Sequence, residues 1–114
     1  MLFRKKKTEI MNEDGWLKID YRGSDIFVQL SGKLDITLRN KIRPTLQPLL
    51  EQNIKGAICL RMNDVFFLEI STTAALVHFW RAADRSNVPI EIWGASPIVM
   101  RMFAGLGTSD LLSR

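Results

Sequence analysis

The chain has 114 residues, of which 46% are hydrophobic and 25% charged, with 16 Lys and Arg against 12 Asp and Glu for a net charge of +4. Those proportions fit one globular domain and exclude global disorder, a low-complexity repeat and two independent cores. One cysteine (Cys59) and one histidine (His78) exclude an internal disulfide, a multi-cysteine metal site and a histidine pair.

Residues 1–14 read as a basic, flexible tail. Arg4, Lys5, Lys6 and Lys7 supply four positive charges with no acid among residues 1–7, so the remaining chain is neutral. Such a tail can touch an anionic membrane surface or nucleic acid, or simply be a solvated terminus. It lacks the apolar segment of a secretory signal, and no apolar run approaches the roughly 18 residues that span a membrane. Together with the lone cysteine, this predicts a cytoplasmic protein.

From Trp16 a period of two appears. Leu17, Ile19 and Tyr21 alternate with Lys18 and Asp20. After the turn Arg22-Gly23-Ser24-Asp25, Ile26, Val28 and Leu30 alternate again, which predicts a hairpin. Gly32-Lys33-Leu34-Asp35 leads to a helix whose buried face is Leu38, Ile42, Leu46 and Leu49. Thr37 suits its start as a cap. Pro44 and Pro48 conflict with a regular helix and predict a kink or a late start.

Ala57–Met62 is a short apolar run separated from the hairpin by that helix, so a parallel crossover follows. Asn63-Asp64 reads as a turn, and Val65-Phe66-Phe67-Leu68 as a buried run. Glu69-Ile70-Ser71-Thr72 opens a second helix with an inward stripe of Ala75, Leu76, Phe79 and Ala83. Ile90–Trp93 is the next strand, with Trp93 expected in the core. Ser96-Pro97 starts a third helix in which Val99, Met102, Phe103 and Leu106 share a face. The order predicts an α/β domain over residues 15–114: a mixed sheet of about four strands, with an N-terminal hairpin and crossover helices.

The chemical inventory points away from catalysis. No phosphate-binding glycine pattern is present, His78 has no partner motif, and Cys59 falls in a buried strand. No catalytic residue, cofactor or metal is expected. The body has no basic stripe interleaved with aromatics, which argues against nucleic acid as a partner. An interaction module remains.

Three segments in order resemble one family. Ile26–Asp35 resembles the opening strand and Gly-x-Leu-Asp turn of STAS domains of the anti-sigma factor antagonist type. Val65–Thr72 is similar to that family's apolar run into Asp-Ser-Ser-Gly. Gly94–Pro97 with Val99, Met102 and Phe103 resembles its last strand-to-helix junction. The resemblance covers roughly residues 15–113 and implies a non-enzymatic regulator. Its implied partner is an ATP-binding serine kinase that acts as an anti-sigma factor, with a metal-dependent serine phosphatase to reset the switch. The phosphorylated position falls on Ser71, with Thr72 as an alternative hydroxyl, and Asp35 and Glu69 support the site.

The family's first serine is replaced by Ile70, its aspartate by Glu69 and its glycine by Thr72. Ser71 thus reads either as a switch or as a helix cap. Val77, Trp80 and Arg81 are candidates for the partner interface, although Trp80 better suits covering the sheet edge or packing on the tail. A second implied role is a STAS subunit of a membrane lipid- or ion-transport complex, acting by contact without phosphorylation.

Overall fold

The computed structural model describes residues 8–11, 14–52 and 55–113. Its elements run β1 (Thr8–Met11), β2 (Gly15–Arg22), β3 (Asp25–Leu34), α1 (Ile36–Leu46), β4 (Ile58–Leu68), α2 (Ile70–Arg85), β5 (Ile90–Ala95) and α3 (Pro97–Gly105). A 3-10 turn, Gln47–Glu51, follows α1, and a second, Ser109–Ser113, follows α3.

The alternation read from the sequence sets the hairpin register. Leu17 pairs with Leu30, Ile19 with Val28 and Tyr21 with Ile26. Gly23 takes φ +61° in the tight connection, the left-handed geometry that a two-residue hairpin favours. The helix α1 then carries the chain across to β4, which lies parallel to β3, and α2 carries it to β5, parallel to β4.

The sheet order is β1-β2-β3-β4-β5, so there are five strands where about four were expected. The additional one is Thr8–Met11, antiparallel to β2, in a stretch read as tail. A four-residue run is too short to display a period. Its pairing is dictated by the open edge of the hairpin rather than by its own sequence. The rest of the expected basic tail, residues 1–7 and 12–13, lies outside the described residues.

One face of the sheet is buried beneath the helices. Leu17, Ile19, Val28, Leu30, Ile58 and Leu60 join Leu38, Ile42, Leu46, Leu76, Phe79, Val99 and Phe103 in one core. The opposite face carries Trp16, Lys18, Phe27, Arg61 and Trp93, none of them fully buried. Trp93, expected in the core, is 54% exposed, and its ring meets Phe27 edge to face at 5.0 Å. The period of two explains it: Ile90 points inward, so Trp93 points out. Cys59 is buried on this same side, and burial together with the nearby carboxylates of Glu91 and Asp25 pushes its thiol pKa up. That is the state of an unreactive packing residue.

Asn63-Asp64 is not a turn; β4 runs unbroken from Ile58 to Leu68, with register shifts against β3 between Gln29 and Ser31 and between Gly32 and Lys33. Those shifts turn Phe66 and Phe67 outward, so only Val65 and Leu68 of the apolar run are buried. Gly32 makes this possible: it has φ +82°, and a Cβ there would lie 2.2 Å from the Asp14 carbonyl oxygen.

The helix α1 starts at Ile36 and continues through Pro44, tightening into the 3-10 turn only at Gln47. Pro44 and Asn40 are both exposed, so the carbonyl that the ring deprives of its helical donor is open to water. Ser96 holds the N-cap position of α3, yet its hydroxyl makes no cap bond. It donates instead to the buried Val65 carbonyl at 2.6 Å, tying the α3 junction to β4.

Candidate functional site

Strands β3 and β4 end side by side, with Leu34 opposite Leu68, and each passes directly into a helix. The two helix tips are therefore neighbours, at the C-terminal edge of a parallel pair, where α/β folds build sites. The Glu69 N–H donates to the Leu34 carbonyl at 3.1 Å, and the Thr72 hydroxyl donates to the Asp35 carbonyl at 3.1 Å, locking one junction to the other.

Carboxylates cap both helices. Asp35, not Thr37, is the cap of α1: its Oδ1 accepts from the Thr37 N–H at 3.0 Å and from the Thr37 hydroxyl at 2.6 Å. Glu69 does the same for α2, its Oε1 accepting from the Ser71 N–H at 2.9 Å and from Ser71 Oγ at 2.5 Å. Each cap satisfies donors that a helix start leaves without partners. Ser71 is consequently the second residue of α2 and donates to the cap rather than forming it. The capping role expected as the alternative for Ser71 belongs to Glu69.

The Ser71 hydroxyl holds the Glu69 carboxyl below the usual carboxylate range, with help from the Ser71 N–H and the Arg39 guanidinium. The unfolded chain therefore binds this proton at a higher pH than the folded one. The stabilisation is present above the ordinary glutamate value of about 4.3 and is lost as pH falls through the lower folded value. We predict that Glu69→Gln reduces the loss of thermal stability between neutral pH and the acid limb. An unchanged acid limb would show that this carboxylate is not held as described.

The segments that meet at this junction also expose large apolar side chains. Phe66 is 67% exposed, Ile70 61%, Ile36 52% and Phe67 41%. Ile36 and Ile70 are the first residues of the two helices and Phe66 and Phe67 sit at the end of β4, so these side chains frame the paired junction. Exposed apolar groups gathered at one place mark an interaction surface, whereas scattered ones do not.

Other candidates are distributed differently. Thr72 is fully buried with its hydroxyl engaged by Asp35, so it is not an accessible second hydroxyl. Trp80 is also fully buried, edge to face with Phe103 at 5.8 Å, so it does not face a partner. Its spacing from Leu76 and Ala83 puts it on the inward stripe of α2. Val77 is half-buried and Arg81 exposed, and the two share a shallow groove with Ala74 and His78. His78 and Ala74 also line a groove that reaches Ser71, making this face of α2 continuous from Ser71 to Arg81.

The apolar frame and the groove residues Arg39 and Arg43 were not singled out from sequence. Two signals were present. Phe66-Phe67 cannot both point inward from a regular strand, and Arg39 and Arg43 lie one helical turn apart. Among the described residues no cluster of three or more His, Cys, Asp or Glu side chains is placed to hold a metal ion, and no helix is long and apolar enough to cross a membrane.

The geometry agrees with comparisons to known proteins. The chain is similar in structure to the anti-sigma factor antagonist SpoIIAA in its unphosphorylated form, with a TM-score of 0.72, 16% identity and 84% of each chain covered. It is similar also to the Bacillus cell fate determinant SpoIIAA in the phosphorylated form, with a TM-score of 0.69, 15% identity, and coverage of 84% of this chain and 87% of that one. No curated protein matches the chain by sequence. The STAS domain model matches residues 17–113, nearly the whole chain, and the protein belongs to the STAS domain family.

Proposed function

We propose that this protein is a partner-switching regulator: it binds an ATP-binding serine kinase that acts as an anti-sigma factor, and phosphorylation of Ser71 ends the binding. The observation that carries this reading is the Ser71 hydroxyl at the tip of α2, beside two carboxylate caps and framed by exposed Phe66, Phe67, Ile36 and Ile70. The similarity to a protein known in unphosphorylated and phosphorylated forms supports it.

The physics suits a switch. In the unmodified state the apolar frame can close on a partner, with Ser71 contributing a neutral hydroxyl. On transfer, the O–P bond to Ser71 Oγ forms as the bond to ADP breaks, and the hydroxyl proton, until then shared with Glu69, leaves to solvent. The site then gains about 1.5 to 2 negative charges next to Glu69 and Asp35. An apolar partner surface closing over them would have to desolvate that charge, so the complex separates without rearranging the core. A metal-dependent serine phosphatase would restore the hydroxyl. The α2 face through Val77 and Arg81 extends the docking surface.

The test is intact mass after incubation with ATP and the kinase of the same system. The expected result is one added phosphate on the wild-type protein and none on Ser71→Ala. A phosphate retained by Ser71→Ala, or none on the wild type, would contradict the assignment. A subunit of a transport assembly would also give no mass change, and would instead bind its transporter equally well as Ser71→Ala.

A further inference from the structure

Between α1 and α2 lies a groove of about 470 Å³, lined by Arg39 and Arg43 on one side and by Ser71, Ala74, Ala75 and His78 on the other. Its cations are only partly offset: the Glu69 carboxylate attracts Arg39 from beside the groove. Neither guanidinium makes an ion pair among the described residues. Arg39 Nε is enclosed without a hydrogen-bond partner among the described residues, while its Nη2 donates to Asn40 Oδ1 at 3.0 Å. Arg43 Nη2 spans the groove to His78 Nε2 at 3.3 Å, a hydrogen bond in which the imidazole nitrogen accepts. The small side chains of Ala74 and Ala75 leave the space beside Ser71 open.

We propose that this groove is a receptor for a phosphate monoester, and that the phosphate it takes is the one carried by Ser71 of the same chain. The inference rests on the reading of Ser71 as the modified residue and adds where its phosphate goes. Once esterified, Ser71 Oγ has no proton to donate, so its bond to Glu69 Oε1 is lost. The phosphate and the Glu69 carboxylate then repel each other. Rotation of the serine side chain away from Glu69 brings the phosphate to the groove side of α2, where Arg39, Arg43 and His78 wait. Arginine presents planar N–H pairs that match phosphate oxygens two at a time. The modification thereby ties α1 to α2 and fixes the phosphate at the rim of the junction, where a partner closing over it would still have to desolvate it.

Phosphoserine installed at position 71 of the full chain during translation tests this without any kinase. The groups facing the phosphate are Arg39, Arg43 and His78, opposed by Glu69 and Asp35. Phosphorus NMR is expected to place its second ionisation at least about half a unit below the ordinary value near 6. Thermal unfolding is expected to rise by about 3–6 °C over the unmodified protein. Both effects are expected to vanish in Arg39→Gln/Arg43→Gln and to survive in part in Arg39→Lys, whose unmodified form should melt as the wild type does. A phosphoserine that titrates as in a free peptide, with no rise in melting temperature, overturns the proposal. Sub-millimolar binding of inorganic phosphate to the unmodified protein, combined with that result, would assign the groove to a free phosphate instead. Failure of the kinase to modify Ser71 would sink the functional reading and leave this measurement unaffected.

Discussion

Replacing Phe66 and Ile70 with serine is expected to weaken binding to the serine kinase by about 2–4 kcal/mol, or roughly 30- to 700-fold, which a calorimetric titration reads directly. The fold should be indifferent. Both side chains are more than half exposed, and exposed substitutions usually change stability by no more than about 0.5 kcal/mol. That combination, large for association and small for folding, separates a docking surface from a badly finished core. Phe66 lies three residues before Glu69 and Ile70 directly after it, and both stand in water, although aromatic and β-branched residues at a strand end would ordinarily be buried. An unaltered affinity in a double variant that melts normally would remove the apolar frame from the account.

The opposite pattern is expected for Trp80. It is fully enclosed between the sheet and α3, against Phe103. Trp80→Ala should cost about 3–5 kcal/mol in urea unfolding, the usual penalty for deleting a buried aromatic and leaving a cavity. Trp80→Phe should cost less than about 1.5 kcal/mol, because it keeps a ring against Phe103 and removes the indole N–H, which has no hydrogen-bond partner among the described residues. If Trp80→Ala instead left stability intact and reduced partner binding, the residue would belong to the interface after all.

These two residue sets show how far the sequence could be read. The hairpin was legible because Leu17, Ile19, Val28 and Leu30 keep strict alternation on a sheet with one buried face. The start of α3 was legible because Pro97 needs no N–H there. The place of Ser71 at a helix tip was legible too, since Glu69 and Ser71 follow an apolar strand and precede a helical stripe.

Trp80 was misplaced by composition. Its spacing from Leu76 and Ala83 already put it inside, and a tryptophan beside an arginine suggested an anchor only when that spacing was set aside. Trp93 was misplaced in the same manner, against the alternation of Ile90. Phe66 and Phe67 are a different kind of miss. Hydrophobicity argued for burial, and only the register shifts near Gly32 turn them outward. The groove was legible only by half, in the one-turn spacing of Arg39 and Arg43. Arg39 and Arg43 belong to one helix and Ser71 and His78 to another, and neither helix alone records that they pack together.

In the proposed switch, folding and regulation meet at one hydroxyl. Ser71 contributes to stability through Glu69, and the same bond holds it where a partner can cover it. The most direct test compares the affinity of the serine kinase for the unmodified protein and for the protein carrying phosphoserine at position 71. The account predicts a loss of at least about 2–3 kcal/mol, roughly 100-fold, on phosphorylation. Equal affinity of the two forms would contradict it.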